Sequence, residues 1–154
     1  MQALQAPLNN AAAIAGTDTV FSEVLEHCSA AAPISLSEWQ SHPSQTAVEV
    51  TTADDINPLL ARVDQLSLIA VHFEDFNDGR GFTIARRLRD SGFRGELRAT
   101  GDYILDQLQF LSRCGFDAFQ LPEGVDIEQA RDSLHEFSVF YQPALSAHTT
   151  LSTT

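Results

Sequence analysis

Eight consecutive residues, Glu74 to Gly81, hold the densest set of chemically able groups in the chain. Glu74, Asp75 and Asp78 bring carboxylates, Arg80 brings a guanidinium, and Gly79 and Gly81 let a backbone approach a ligand closely. If a helix opens at the end of this stretch, its free N–H groups and the fork of Arg80 suit a small oxyanion such as a phosphate, a carboxylate or a sulfur oxyanion. The spacing lacks the third glycine of a dinucleotide fingerprint, because Ile84 stands there. The plainer alternative is that Asp78 caps the helix and the glycines only make the turn. A second group lies at Thr100, Gly101 and Asp102, with Asp106 and Gln107 one turn further on; Asp102 is also a candidate helix cap. Carboxylates at Glu74, Asp75, Asp78 and Asp102 would raise one another's pKa or hold Mg²⁺ if the fold gathered them.

The rest of the titratable inventory excludes more than it suggests. Cys28 and Cys114 are two isolated cysteines, suited to a reducing compartment and too few for an iron–sulfur cluster or a redox dithiol. Cys114 near a helix end reads as a packing residue. The five histidines, His27, His42, His72, His135 and His148, are scattered and read as surface or satisfied side chains. No metal site and no cofactor are expected. The net charge of −12 disfavours nucleic acid and anionic membranes. Lysine is absent, and six of the nine arginines fall between Arg80 and Arg98, marking either a local anion or acidic-partner site that includes Arg98, or a solvated helix face.

The elements that must position these groups alternate. A chain of 154 residues suits one domain with a real core. Residues 1–45 read as a weakly ordered arm with a short helix over 17–31. Ser35 or Ser37 could start one further turn, with Trp39 as a packing anchor. Residues 46–143 form the α/β domain and 144–154 a disordered tail. A strand at 47–50 precedes a helix over 55–64 capped by Thr52 or Asp54. The apolar run 66–73 reads as a strand buried on both faces. A helix over 81–91 then points Phe82, Ala85 and Leu88 inward and Arg86, Arg87 and Arg89 outward, with Gly92 closing it. A strand at 95–100, a helix at 104–114 closed by Gly115, a strand at 117–121, a turn at 122–124 and a helix at 127–141 complete the pattern. Strands alternating with helices predict a small parallel sheet of three to four strands built from consecutive βα units, either partial barrel-like or open doubly wound. No run is long and apolar enough for a membrane span, and the N-terminus lacks a secretory pattern, so a cytoplasmic protein is expected.

The run Phe76-Asn-Asp-Gly-Arg-Gly-Phe82, then Ala85-Arg-Arg-Leu-Arg89, Gly92-Phe-Arg-Gly-Glu-Leu-Arg98 and Gly101-Asp102, resembles a bacterial domain-of-unknown-function family, number 934. Asp106-Gln107, Phe110 and Arg113-Cys-Gly-Phe-Asp-Ala-Phe119 extend the resemblance, which spans about residues 66–142. Members are usually encoded beside assimilatory sulfite reductase and labelled oxidoreductases of sulfite reduction. The resemblance implies a pathway more than a reaction. It points to an accessory protein that assists the sulfite reductase haemoprotein or its electron carrier, with an enzyme acting on a small anionic substrate at the strand carboxyl ends as the alternative. The candidate ligand or partner residues are Asp78, Gly79, Arg80, Gly81, Arg98, Gly101, Asp102 and Gln107.

Overall fold

The computed structural model describes residues 31–121 and 124–135. Residues 1–30 of the expected N-terminal arm, which hold all but the last residue of the predicted helix over 17–31, lie outside these residues, as do residues 122–123 of the predicted turn, the end of the last helix and the C-terminal tail. Residues 31–45 of that arm are described and carry the strand Ile34–Ser35 and the helix Leu36–Ser41. Among the described residues, five strands form one open parallel sheet in the order β1-β2-β3-β4-β5. They are β1 (Ile34–Ser35), β2 (Ala47–Thr51), β3 (Leu68–Phe73), β4 (Glu96–Gly101) and β5 (Ala118–Phe119). The helices are α1 (Leu36–Ser41), α2 (Asn57–Leu60), α3 (Arg80–Asp90), α4 (Leu108–Arg113) and α5 (Ile127–His135). The α/β class and the alternation match the expectation, with five strands in place of three to four. The extra strand, β1, has two residues, too few for any hydrophobic period to register.

Strands visited in sequence order, with the right-handed crossovers that parallel sheets favour, put their connecting helices on one side. The core follows that geometry. Val48, Val50, Ile69, Val71, Phe73, Leu97, Ala99 and Phe119 from alternate strand positions pack in one cluster with Trp39, Leu59, Ile84, Leu88, Leu108, Leu111 and Ala130 from the five helices. The opposite strand positions form rungs across the other face. Ala47, Leu68 and Glu96 share one, Ser35, Glu49, Ala70, Arg98 and Ala118 the next, and Thr51, His72 and Thr100 a third. Ala47, Leu68 and Ala70 make a small separate apolar cluster there.

Local chemistry sets the element ends. Ser35 caps α1 by accepting from the Glu38 N–H at 3.3 Å, and Trp39 is buried with its indole N–H donating to the Gln45 carbonyl at 2.9 Å. The predicted helix over 55–64 is instead the four-residue α2 followed by a 3-10 turn, Val63–Gln65. Pro58 lies in the first turn of α2, where its missing N–H costs nothing. The chain then leaves helical geometry at Arg62, whose φ is −139°. Neither Thr52 nor Asp54 caps α2: Asp54 accepts from the Thr51 N–H at 2.7 Å, tying the strand end to its own loop. At the far end of α3, Gly92 has φ +96° and the Phe93 N–H reaches the Leu88 carbonyl at 3.1 Å, the six-residue bond of a Schellman ending. The predicted helix over 104–114 starts as a 3-10 turn, Leu105–Gln107, before α4, and Ile104 is exposed. Cys114 is buried, and burial pushes its thiol pKa up, as a packing residue should behave.

Arg89 departs from its expected outward placement. Its side chain is only 14% exposed and pairs with Asp117 at 2.9 Å. The same guanidinium donates to the carbonyls of Gly115 at 2.8 Å, Phe93 at 3.1 Å and Gly95 at 3.0 Å. Asp117 also accepts the Leu97 N–H at 2.7 Å, so one ion pair ties the end of α3 to β4 and to the segment leading into β5.

Candidate functional site

The loop after β3 is built around Asp78 and Arg80. The Arg80 Nε donates to Asp78 Oδ1 at 2.9 Å and Nη2 donates to Oδ2 at 2.7 Å, so the fork expected to clamp an oxyanion is occupied by its neighbour. Thr52, buried at the end of β2, donates its hydroxyl to Asp78 Oδ2 at 2.5 Å. Hydrogen bonds from Arg80, then from Thr52, hold the Asp78 carboxyl far below the ordinary carboxylate range. Asp78 is therefore lowered, not raised as a gathering of carboxylates would make it. Asp75 is engaged locally, accepting the Asn77 N–H at 2.8 Å. Among the described residues no three His, Cys, Asp or Glu side chains gather as a metal-binding group.

Because folding depresses the Asp78 pKa, its contribution to stability is present above the unfolded value of 3.8 and is lost as pH falls below it. Asp78→Asn is therefore expected to lower the melting temperature at neutral pH, by an amount that starts to shrink as pH falls below about 3.8, where the unfolded carboxyl protonates, and that vanishes only below the depressed native value. Melting curves of both proteins across that range check it; an equal loss at all pH values would assign the effect to something other than this charge.

The two glycines of the loop have different surroundings. Gly79 has ordinary helical backbone angles and open space where a side chain would stand. Gly81 faces inward, and a Cβ there would run into the Phe73 ring. Asp102 does not cap the following helix. Its backbone N–H donates to the Phe73 carbonyl at 2.7 Å, and the Gln107 side chain accepts the Ile104 N–H at 3.2 Å instead. The other end of the Gln107 amide donates to the Phe76 carbonyl at 2.8 Å and so braces the loop after β3 against the start of α4.

Around that brace the surface is apolar. Phe76, Ile104 and Phe110 are the exposed large hydrophobics of the described residues, at 41%, 43% and 53%. Phe110 lies 4.9 Å from the Phe82 ring, and Phe82 lies 5.6 Å from Phe73, so a line of aromatic rings runs from the core to this surface.

Arg98 and Gly101 lie elsewhere, on a cavity of about 440 Å³ shared with Glu49, His72, Thr100 and Gln120. Three of these four come from the strand rungs opposite the helices. Gln120 follows β5, its backbone bonded to the Ala99 carbonyl at 2.9 Å and its own carbonyl accepting the buried Tyr103 hydroxyl at 2.6 Å. His72 Nδ1 lies 3.2 Å from Thr100 Oγ1 and 3.5 Å from Glu49 Oε1. Arg98 pairs with Glu96 at 2.6 Å. The eight sequence candidates thus divide into Asp78, Arg80 and Gln107 on the loop surface, Arg98 and Gly101 on the cavity, and Gly79, Gly81 and Asp102 in backbone and packing roles. Glu49, His72 and Gln120 were missed, while Thr100 was read in one group with Gly101 and Asp102. The available signal was alternation: Glu49 sits between two valines, and His72 falls in step with Leu68 and Ala70 as the one titratable residue of an apolar strand.

The clustered arginines also disperse. Arg80, Arg89 and Arg98 each hold a different carboxylate, and Arg87 donates to Asn57 at 2.9 Å. Among the described residues no helix is long and apolar enough to cross a membrane. A family model described as a bacterial protein of unknown function (DUF934) matches residues 47–152, which include every residue of the loop surface and of the cavity's titratable set. No curated protein and no solved structure matches the chain.

Proposed function

Because this chain belongs to the bacterial protein family of unknown function DUF934, we propose that it is an accessory protein of assimilatory sulfite reduction, docking on sulfite reductase or on the component that delivers its electrons. The observation that carries a docking role is the exposed set Phe76, Ile104 and Phe110, of which Phe76 and Ile104 are joined through the Gln107 brace and Phe110 packs on the Phe82 ring of the adjoining helix. Exposed aromatics backed by a rigid core, with an arginine in the same loop, have the composition of interface anchors. Arg80 supplies that arginine, with its side chain 64% exposed. The sulfite assignment rests on the family resemblance of the motif that contains Phe76, Arg80, Phe82 and Phe110.

Growth of a deletion strain tests the pathway. Failure on sulfate and sulfite, with rescue by sulfide or cysteine, is expected; normal growth on all four sulfur sources would remove the pathway assignment. The docking surface is tested separately with Phe76→Ser combined with Phe110→Ser. These side chains are substantially solvent-exposed, so the variant should fold, yet fail to restore growth and fail to co-purify with the reductase. Restored growth by a folded double variant would show that the surface is not the interface.

A further inference from the structure

The cavity on the strand face opposite the helices has no part in the docking surface, and its residues have a chemistry of their own. In the middle rung only the methyl of Ala70 stands between Glu49 and Arg98, and the cavity that these two line has a volume of about 440 Å³, room for a small molecule. The ionisable strand residues on this face are Glu49 from β2, His72 from β3, and Glu96 and Arg98 from β4; beside β5 stands the neutral Gln120. His72 Nδ1 lies 3.2 Å from the Thr100 hydroxyl and 3.5 Å from Glu49, both able to accept from a ring N–H. A protonated His72 carries a proton on each ring nitrogen and shares the cavity with Arg98, Thr100 and Gln120.

Charge decides what such a site takes. With neutral His72 the two glutamates outweigh Arg98 and the face repels an anion. With His72 protonated the four charges balance, and the cavity offers two cationic donors whose own acidic partners already hold them in place. We propose that this cavity binds a small oxyanion and takes up one proton at His72 as it does so. Linkage then requires the affinity to rise as pH falls through the range where histidine charges, by up to about tenfold per pH unit for one proton.

Sodium sulfate is the probe, because it stays a dianion between pH 6 and 8 and any proton taken up belongs to the protein. Calorimetry on the full chain at about pH 7.5, in two buffers of different ionisation heat, should report binding with proton uptake by the protein. Between pH 6 and pH 8 the affinity should fall by at least about tenfold. The imidazole resonances of His72, assigned with His72→Asn, should move on sulfate addition at pH 6 and not with chloride at equal ionic strength. In His72→Asn the pH dependence should vanish, and in Gln120→Ala binding should weaken with proton uptake intact. No sulfate binding at either pH, binding without proton uptake, or an equal response to chloride (an adventitious ion only) would each overturn the proposal. The histidine resonances are read on the unaltered protein, so the test stands even if a variant fails to fold. Its outcome is independent of the growth phenotype and of the docking surface.

Discussion

Arg89→Leu is expected to lower stability by about 3 kcal/mol at neutral pH, because it breaks a largely buried ion pair and leaves its partner charged. The arginine is 14% exposed and Asp117 32%, so solvent compensates only part of the loss. Three backbone carbonyls also lose their donor. Burial raises the Asp117 carboxyl above its ordinary 3.8, while Arg89 and the Leu97 N–H pull it back. A carboxyl raised by folding holds its proton more tightly in the native state, so its effect on stability worsens as pH climbs above the unfolded value and levels off above the folded one. Removing Arg89 takes away the largest opposing influence and widens that window upward. The loss in Arg89→Leu should therefore be greatest at pH 7 and shrink towards about pH 4. Urea unfolding at the two pH values measures both. An equal loss at each would place the effect in the three carbonyls alone, and a loss below about 1 kcal/mol would show that the pair is a surface ornament.

Gly101→Ala is expected to cost about as much for a different reason. Gly101 ends β4 with φ +88°, in a left-handed region that costs a side-chain-bearing residue about 1–2 kcal/mol. An added methyl would also collide with the Phe73 carbonyl, which is backbone and cannot rotate away, and would press on the His72 ring at 2.9 Å. Overpacking of this kind adds about 1–3 kcal/mol, giving a total near 3 kcal/mol. Gly79→Ala is the internal control. Its φ is −72° and nothing lies within 4 Å of the added methyl, so stability should change by under about 1 kcal/mol, in either direction. Thermal unfolding of the two variants side by side decides it. Similar melting temperatures would mean that the turn at Gly101 relaxes to accept a side chain.

Both predictions concern residues whose roles depend on distant parts of the chain. Arg89 looks like its neighbours Arg86 and Arg87 in the sequence, and the helical period alone cannot separate a solvated arginine from one whose long stem carries its head back to the sheet. The separating fact is that Gly115 and Asp117, 26 and 28 residues away, arrive beside it. The same limit applies to Asp102, whose type and position suit a cap but whose N–H is drawn into the ladder by Phe73.

By itself the sequence determined the class and the punctuation of the fold. The period of apolar residues separates β3, α3, β4 and α4, and glycines at 92 and 115 close helices because only they adopt positive φ there without strain. Those are local properties, set by backbone sterics and by which side of an element must leave water. Tertiary structure alone decided which residues meet. Strand register places Glu49, His72, Thr100 and Arg98 on one face although as many as 51 positions separate them, while Asp78 and Arg80, adjacent to the glycines that suggested a ligand loop, satisfy each other. A site assembled across three parallel strands owes its geometry to pairing between distant segments, and that information lies in the packing of the whole sheet rather than in any one stretch of it.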